Sequence, residues 1–452
     1  MSDDDYNFYA PGDYPAGYPN SEQKHFLGVI ESKNENSMRD FIHQWHCRPG
    51  YFYNGFSMME LAAKADFEKG VEILTEMGIS PDDIAYEGHL NALHYTILND
   101  NYHMAKLLLQ KGANPNGSFN YTKDSRFFSP RKKGALELAI EMDSPLFVRL
   151  LLKKGANPNT PDCEEPLIVL ASRKAHPCII DLLCEKGADI NAQDKDGNTA
   201  LHIAALTGNE RLVKKLIERY HANTLIQNHN KDLPMHLAMQ NPNLNVLKLL
   251  QKHGTPIYQQ NIGKESVASL AVKSNNANIL KTVFHWLHPF EAVYLKDEMI
   301  TSLLPLAIQS KSSVATAHLL PHLPDLNAII HEGKTPLQYI CQRGNEQQLN
   351  ALMCFYGQLE MNKQDNLGNT ALHYACEKQN KNMMLTLLEK GANPTIKNYF
   401  KEDVIKIAQN KGTPEFIKFV KEAVTAYTQK TTLITKNKPV QAVSKHQGRQ
   451  NM

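Results

Sequence analysis

The chain has 452 residues, 42% of them apolar, with 49 basic and 47 acidic side chains and a formal net charge of +2. This composition excludes a disordered chain as the default and argues against a molecule built as a whole to hold nucleic acid. No apolar run approaches the roughly 18 residues of a membrane helix, and seven cysteines without a C-x-x-C pair argue against a disulfide framework, a zinc knuckle or any metal site.

In chain order, residues 1–20 combine Asp3, Asp4, Asp5 and Asp13 with Tyr6, Phe8, Tyr9, Tyr14 and Tyr18, and read as a flexible acidic and aromatic segment. They lack the basic start and apolar stretch of a secretory signal, so a cytoplasmic protein is expected. Residues 21–54 hold a weak helical pattern at Phe26–Trp45, and a second weak pattern opens at Gly55. From Asn91 it sharpens to "NALHYTILNDNYHMAKLLLQKGANPN" and recurs as "GALELAIEMDSPLFVRLLLKKGANPN" from Gly134 and "EPLIVLASRKAHPCIIDLLCEKGADIN" from Glu165. It returns as "DGNTALHIAALTGN" at Asp196–Asn209, then from Leu233, Lys334 and Asn369, with weaker copies from Glu265 and Ser302. The equivalent residues Leu167, Leu201 and Met235 are about 34 residues apart. A degenerate unit at Glu402–Tyr427 precedes residues 428–452, a basic tail read as flexible.

One copy explains the pattern. Thr199 suits a helix N-cap, and Ala200 (Pro336 in a later copy) suits the first helical position. Leu201, Ile203, Ala204 and Ala205 make a short apolar helix whose small residues allow close approach. Gly208–Asn209 permits a tight connection, and Val213, Leu216 and Ile217 form the apolar stripe of a second helix. Such a pair cannot bury its own apolar face, so copies must stack. Cys341 and Cys376 fall where Ala205 sits, a core position.

These residues resemble the ankyrin-repeat family. The boxes "TALH" at Thr199–His202 and Thr370–His373, "TPLQ" at Thr335–Gln338, and the endings "GANPN" at Gly112 and Gly155 and "GADIN" at Gly187 carry the likeness, which spans about nine-tenths of the chain. It implies an all-α ankyrin-repeat solenoid of about ten to twelve helix-turn-helix units with projecting hairpin fingers. The expected layout is N-terminal capping helices over 21–54 and a solenoid over 55–427, irregular near 284–301. The resemblance also implies that His94, His202, His236 and His373, each one residue after the buried apolar position, bond helix starts to loops instead of serving as ligands or catalytic bases.

The resemblance implies a protein-binding scaffold or adaptor, a monomer with no cofactor and no catalytic residues, docking a partner protein on its concave face and fingers. One finger breaks the period. Leu93 and Leu136 are about 43 residues apart, and the insertion Gly117–Gly134 interleaves Phe119, Tyr121, Phe127 and Phe128 with Lys123, Arg126, Arg131, Lys132 and Lys133. Aromatic and arginine side chains dominate interface hot spots, so this finger is the expected contact, with neighbours near Tyr86–Gly88 and Cys163–Glu165. A chain rich in Asn, Lys, Gln and His with degenerate units resembles ankyrin effectors that intracellular bacteria deliver into host cells, without a signal peptide, to meet a host protein; a eukaryotic adaptor fits the same features. "LCEKGADIN" and "LLPHLPDLN" resemble asparaginyl hydroxylation sites, with Asn191 and Asn327 as acceptors, although the repeat supplies this asparagine for finger geometry in any case. Two rival readings stand. One is an enzyme site in Phe284–Thr301, where "HPF" at His288–Phe290 is similar to the start of a Fic-type motif but lacks its glycine- and arginine-rich remainder. The other is nucleic-acid binding through the basic and aromatic finger.

Overall fold

The computed structural model describes residues 21–45, 52–53, 56–84, 90–121, 131–160, 165–174, 176–286 and 293–436. Among these, helices dominate, and the strands are two short antiparallel hairpins, Phe52–Tyr53 with Phe56–Ser57 and β3 (Ser118–Tyr121) with β4 (Arg131–Gly134), the first hairpin being β1 and β2. The chain divides into two compact units, each a stack of helix pairs.

The first unit runs to Pro256 and includes Gln260–Lys264. Its pairs are α1 (Ser21–Ser32) with α2 (Glu35–Trp45), α3 (Met58–Lys64) with α4 (Glu68–Glu76), and α5 (Ala92–Leu98) with α6 (Tyr102–Gln110). They continue with α7 (Ala135–Glu141) and α8 (Pro145–Lys153), α9 (Leu167–Lys174) and α10 (Pro177–Glu185), α11 (Ala200–Leu206) and α12 (Glu210–Lys214), and α13 (Pro234–Ala238) and α14 (Leu244–Lys252). The second unit takes Ile257–Gln259 and resumes at Glu265. It holds α15 (Val267–Ser274) and α16 (Ala277–Trp286), α17 (Val293–Gln309) and α18 (Ser313–Leu319), and α19 (Pro336–Arg343) and α20 (Glu346–Met353), then α21 (Ala371–Glu377) and α22 (Lys381–Glu389), and α23 (Val404–Lys411) and α24 (Pro414–Lys436).

Neighbouring pairs supply each other's core. In the first unit α3, α5, α7, α9, α11 and α13 pack in series, as do α2, α4, α6, α8 and α10; in the second, α15 to α23 and α16 to α24 do the same with alternate helices. The leading helices α5, α7, α11 and α21 have 7 residues each, far below the roughly 12–15 at which an isolated helix becomes marginal in water. Leu93, Leu201, Met235 and Leu372 are accordingly buried, and so are Cys341 and Cys376, whose thiols burial pushes up to about 12.

Two sequence details alter single pairs. After Asn209 the second helix carries one residue more than its counterparts, and Lys215–Arg219 absorb it as a π-helical turn. This turn brings the Tyr220 hydroxyl onto Asp181 of the preceding pair at 2.6 Å. In α17, Pro305 stands where His202 stands in α11. Proline has no N–H for a capping side chain to accept, and the helix instead begins upstream at Val293, so much of the stretch expected to be irregular over 284–301 is helical. Residues 287–292, with "HPF", lie outside the described residues. At the other end, α24 continues past residue 428 to Lys436.

The box residue after the buried leucine joins one pair to the next. Thr199 N donates to Nδ1 of His202 at 3.2 Å, and Nε2 of the same ring lies 3.0 Å from Asp232 O, on the following finger. Because Nδ1 accepts, the proton sits on Nε2, which donates to that carbonyl. His373 repeats this between Thr370 N (3.1 Å) and Glu402 O (3.2 Å). Gln338 performs the same task without a titrating ring: Oε1 accepts from Thr335 N at 2.8 Å, and Nε2 donates to Lys363 O at 2.8 Å and Asn369 O at 3.1 Å. His94 and His236 accept from Asn91 N and Leu233 N at their own helix starts. The bonds accepted at the helix starts each satisfy a backbone amide that would otherwise be orphaned in the core.

Burial favours the neutral form of three of these rings, His94, His202 and His373. It drives His94 down to about 3 and lowers His202 and His373 below the usual 6.5, against the opposing pull of their backbone carbonyl partners. The unfolded chain therefore takes up protons first as pH falls, so the stability gained from neutral rings is complete above about pH 6.5 and is lost progressively towards pH 3. Gln338 identifies the isostere: the triple variant His94→Gln, His202→Gln, His373→Gln should lose stability less steeply between pH 7 and pH 4 than the parent. Urea unfolding midpoints across that range check this, and parallel profiles would contradict it.

Candidate interaction surface

The inserted finger begins as a regular hairpin. Ser118 pairs with Gly134, Phe119 with Lys133, Asn120 with Lys132, and Tyr121 with Arg131. Of the expected contact residues, Phe119, Tyr121, Arg131 and Lys132 thus have their backbones on β3 and β4, whereas their side chains, and all of Lys123, Arg126, Phe127 and Phe128, lie outside the described residues. Tyr86–Gly88 and Cys163 lie outside them too.

The foot of this finger is fixed by a pair that the sequence pattern did not single out. Lys133, on β4, is buried and its Nζ bonds Glu141 Oε2 at the end of α7. The spacing of eight residues from finger foot to last helical turn recurs: Arg173 bonds Glu165 at 2.9 Å, Lys273 bonds Glu265 at 2.6 Å, and Asn410 bonds Glu402 at 2.8 Å. Arg173 also reaches Asp194 on the next finger at 2.7 Å. Complementary side chains at i and i+8 were the available signal; the usual i and i+4 search passes over them because the chain reverses at the helix start. Beneath the foot lies a cavity of about 30 Å³ beside Asn116, Ser118, Glu137 and Thr160, room for one water and too small for a substrate.

The two asparagines considered for hydroxylation carry ladder bonds. Asn191 Oδ1 accepts from Asn223 N at 2.9 Å. Asn327 donates to Gln358 O at 2.7 Å and accepts from Glu360 N at 2.8 Å. Equivalent bonds run from Asn116 to Gly155 and Asn157, from Asn159 to Gly187 and Asp189, and from Asn362 to Gly391 and Asn393. The finger turns are stitched above this ladder by His229 N to Asp196 O (2.9 Å) and Tyr399 N to Leu367 O (3.1 Å). That approach needs glycine opposite: at Gly197 (φ +80°) and Gly368 (φ +74°), an added Cβ would stand 2.7 Å from His229 N and Tyr399 N.

Around the proposed enzyme region, Phe284 stacks edge-on against His318 at 5.3 Å between ring centroids, and burial with nearby Lys281 lowers the pKa of His318. Among the described residues no three His, Cys, Asp or Glu side chains converge as metal ligands, and no helix is long and apolar enough to cross a membrane.

A family model of ankyrin repeats matches residues 59–162, 136–226, 167–262 and 304–398, which together are well over half the chain. The I-Kappa-B like protein C2 of Microplitis demolitor bracovirus (isolate Webb) is 39% identical over 82 residues, 18% of this chain and 45% of that protein, so the match spans less than half the length of the relative. Among solved structures, the ankyrin repeat domain of Bcl-3 aligns with a TM-score of 0.42 at 22% identity, covering 50% of this chain and 97% of that one. The human ASB11 ankyrin repeat domain aligns with a TM-score of 0.40 at 20% identity, covering 52% of this chain and 100% of that one.

The finger foot yields a direct test. Removing one partner of a buried, hydrogen-bonded charge pair leaves the other uncompensated, whereas replacing both with apolar groups relieves that cost. Lys133→Met should cost roughly 1–3 kcal/mol, and Lys133→Met with Glu141→Leu should recover most of it. Equilibrium unfolding of the two variants measures this; a double variant no better than the single one would show that the ion pair does not brace the finger.

Proposed function

The chain belongs to the ankyrin-repeat family, and on that footing we propose that it is a protein-binding scaffold whose inserted finger, Gly117–Gly134, makes the principal contact. The observation that carries this reading is the finger itself. It is longer than its neighbours, it stands on a four-residue strand pair, and its foot is pinned by Lys133 and Glu141. A finger anchored at its foot has less chain freedom to lose on docking than an unanchored loop. Phe119, Tyr121, Phe127 and Phe128 supply apolar contact, and Lys123, Arg126, Arg131 and Lys132 supply positive charge, a mixture suited to a protein partner with an acidic rim. The protein acts as a monomer in the cytosol. If it is a delivered effector, its partner is a host protein.

Affinity capture with the parent chain beside a chain lacking Phe119–Arg131 tests this. The parent should retain a partner that the shortened chain loses, and the point variant Phe127→Ser, Phe128→Ser should weaken the same capture with the fold intact. Identical capture by all three removes the finger from the function. Capture of nucleic acid in place of protein, with affinity falling steeply as salt rises, favours the rival reading.

A further inference from the structure

The second unit exposes an apolar surface where none is needed for folding. Leu367, Tyr399 and Phe400 occupy the tips of two adjoining fingers and are 49%, 71% and 67% exposed. The bond from Tyr399 N to Leu367 O holds the tips together, and the Tyr399 ring lies against Gly368, where an added Cβ would stand 2.8 Å from its Cδ1. The later tip is rigidly set: Asn398 Oδ1 accepts from Phe400 N at 3.0 Å and Glu402 N at 2.9 Å, and its Nδ2 donates to Asn369 Oδ1 at 3.0 Å.

Lysines flank the aromatic pair. Lys397 and Lys401 are exposed and have no acidic partner among the described residues. The carboxylates beside them are turned to other work: Glu402 accepts from Asn398 and Asn410, Asp403 caps Lys406 N, and Asp365 accepts from Tyr374. Lys401 has φ +60° and makes the turn bond, to Asn398 O, that Gly197 and Gly368 make in their own fingers and that Lys231 and Lys264, at φ +59° and +58°, also make. A lysine held in the left-handed region is strained where glycine is not. Lys401 directly follows the exposed aromatic pair in the turn.

Resting on the reading of the chain as a protein-binding scaffold, we propose that Leu367, Tyr399, Phe400, Lys397 and Lys401 form a second docking surface, for an acidic protein segment carrying an apolar anchor. The anchor covers the Leu367, Tyr399 and Phe400 side chains, and flanking carboxylates meet the two ammonium groups. A nucleic acid fits less well, because a phosphate backbone is tracked by a run of cations, and this surface offers two lysines, no arginine and an aliphatic leucine.

The test is selection from a random peptide library displayed on phage, with the full chain as target. Enriched peptides should pair Asp or Glu with a large apolar residue. They should bind about tenfold or more weakly to Tyr399→Ser, Phe400→Ser and to Lys401→Gly. Lys401→Gly is the decisive variant, because it relieves the left-handed strain and should melt no lower than the parent, so its loss of binding is not a loss of fold. The chain lacking Phe119–Arg131 should bind these peptides as the parent does, which separates this surface from the inserted finger. The proposal is overturned by an empty selection, by enriched peptides without acids, by equal binding to the variants, or by an oligothymidine probe that binds the parent and not Lys401→Gly.

Discussion

In α11, α19 and α21 a side chain just inside the helix joins it to the backbone of the following finger, and the stacking logic of the architecture is clearest there. His202, Gln338 and His373 each take a helix-start amide on one polar atom and give a hydrogen bond to the next finger with the other. A leading helix of 7 residues has too little propensity to persist alone. The burial of its apolar face and the satisfaction of its first amide both depend on the pair beside it. Stability is therefore a nearest-neighbour property, as expected for stacked repeats.

The fingers extend the same dependence outward. The asparagine ladder from Asn116 to Asn191, and again at Asn327 and Asn362, fixes the bases of those fingers to the next. Main-chain bonds at Gly197 and Gly368 fix the tips. Side chains mounted on these turns are held in place before any partner arrives. The exposed rings of Tyr399 and Phe400 and the braced foot at Lys133 thus stand apart from the elements that fold the chain.

Much of the fold was legible because the repeat encodes it locally. Thr199, Leu201 and His202 announce the cap, the core and the joint within four residues, and the period repeats the message. Legibility failed where one residue changed the rule. Pro305 at the joint position removed the cap and lengthened α17 upstream, which sequence pattern read as irregularity. One additional residue near Lys215 became a π-helical turn that no periodicity displays. The finger foot was hidden for a different reason: Lys133 and Glu141 meet only because the strand enters a helix, a contact of eight residues' separation with no periodic signature. The exposed tip at Tyr399 and Phe400 was hidden because an apolar pair in a loop looks the same in sequence whether it is buried or not.

The nearest-neighbour claim is tested most directly by amide hydrogen exchange on His202→Ala, a change that deletes one joint and leaves every other intact. Protection should fall in α11, in α13 and in the finger backbone around Asp232, while α5 and α7 exchange as in the parent. A uniform loss across the first unit, or unchanged protection in α13, would contradict it.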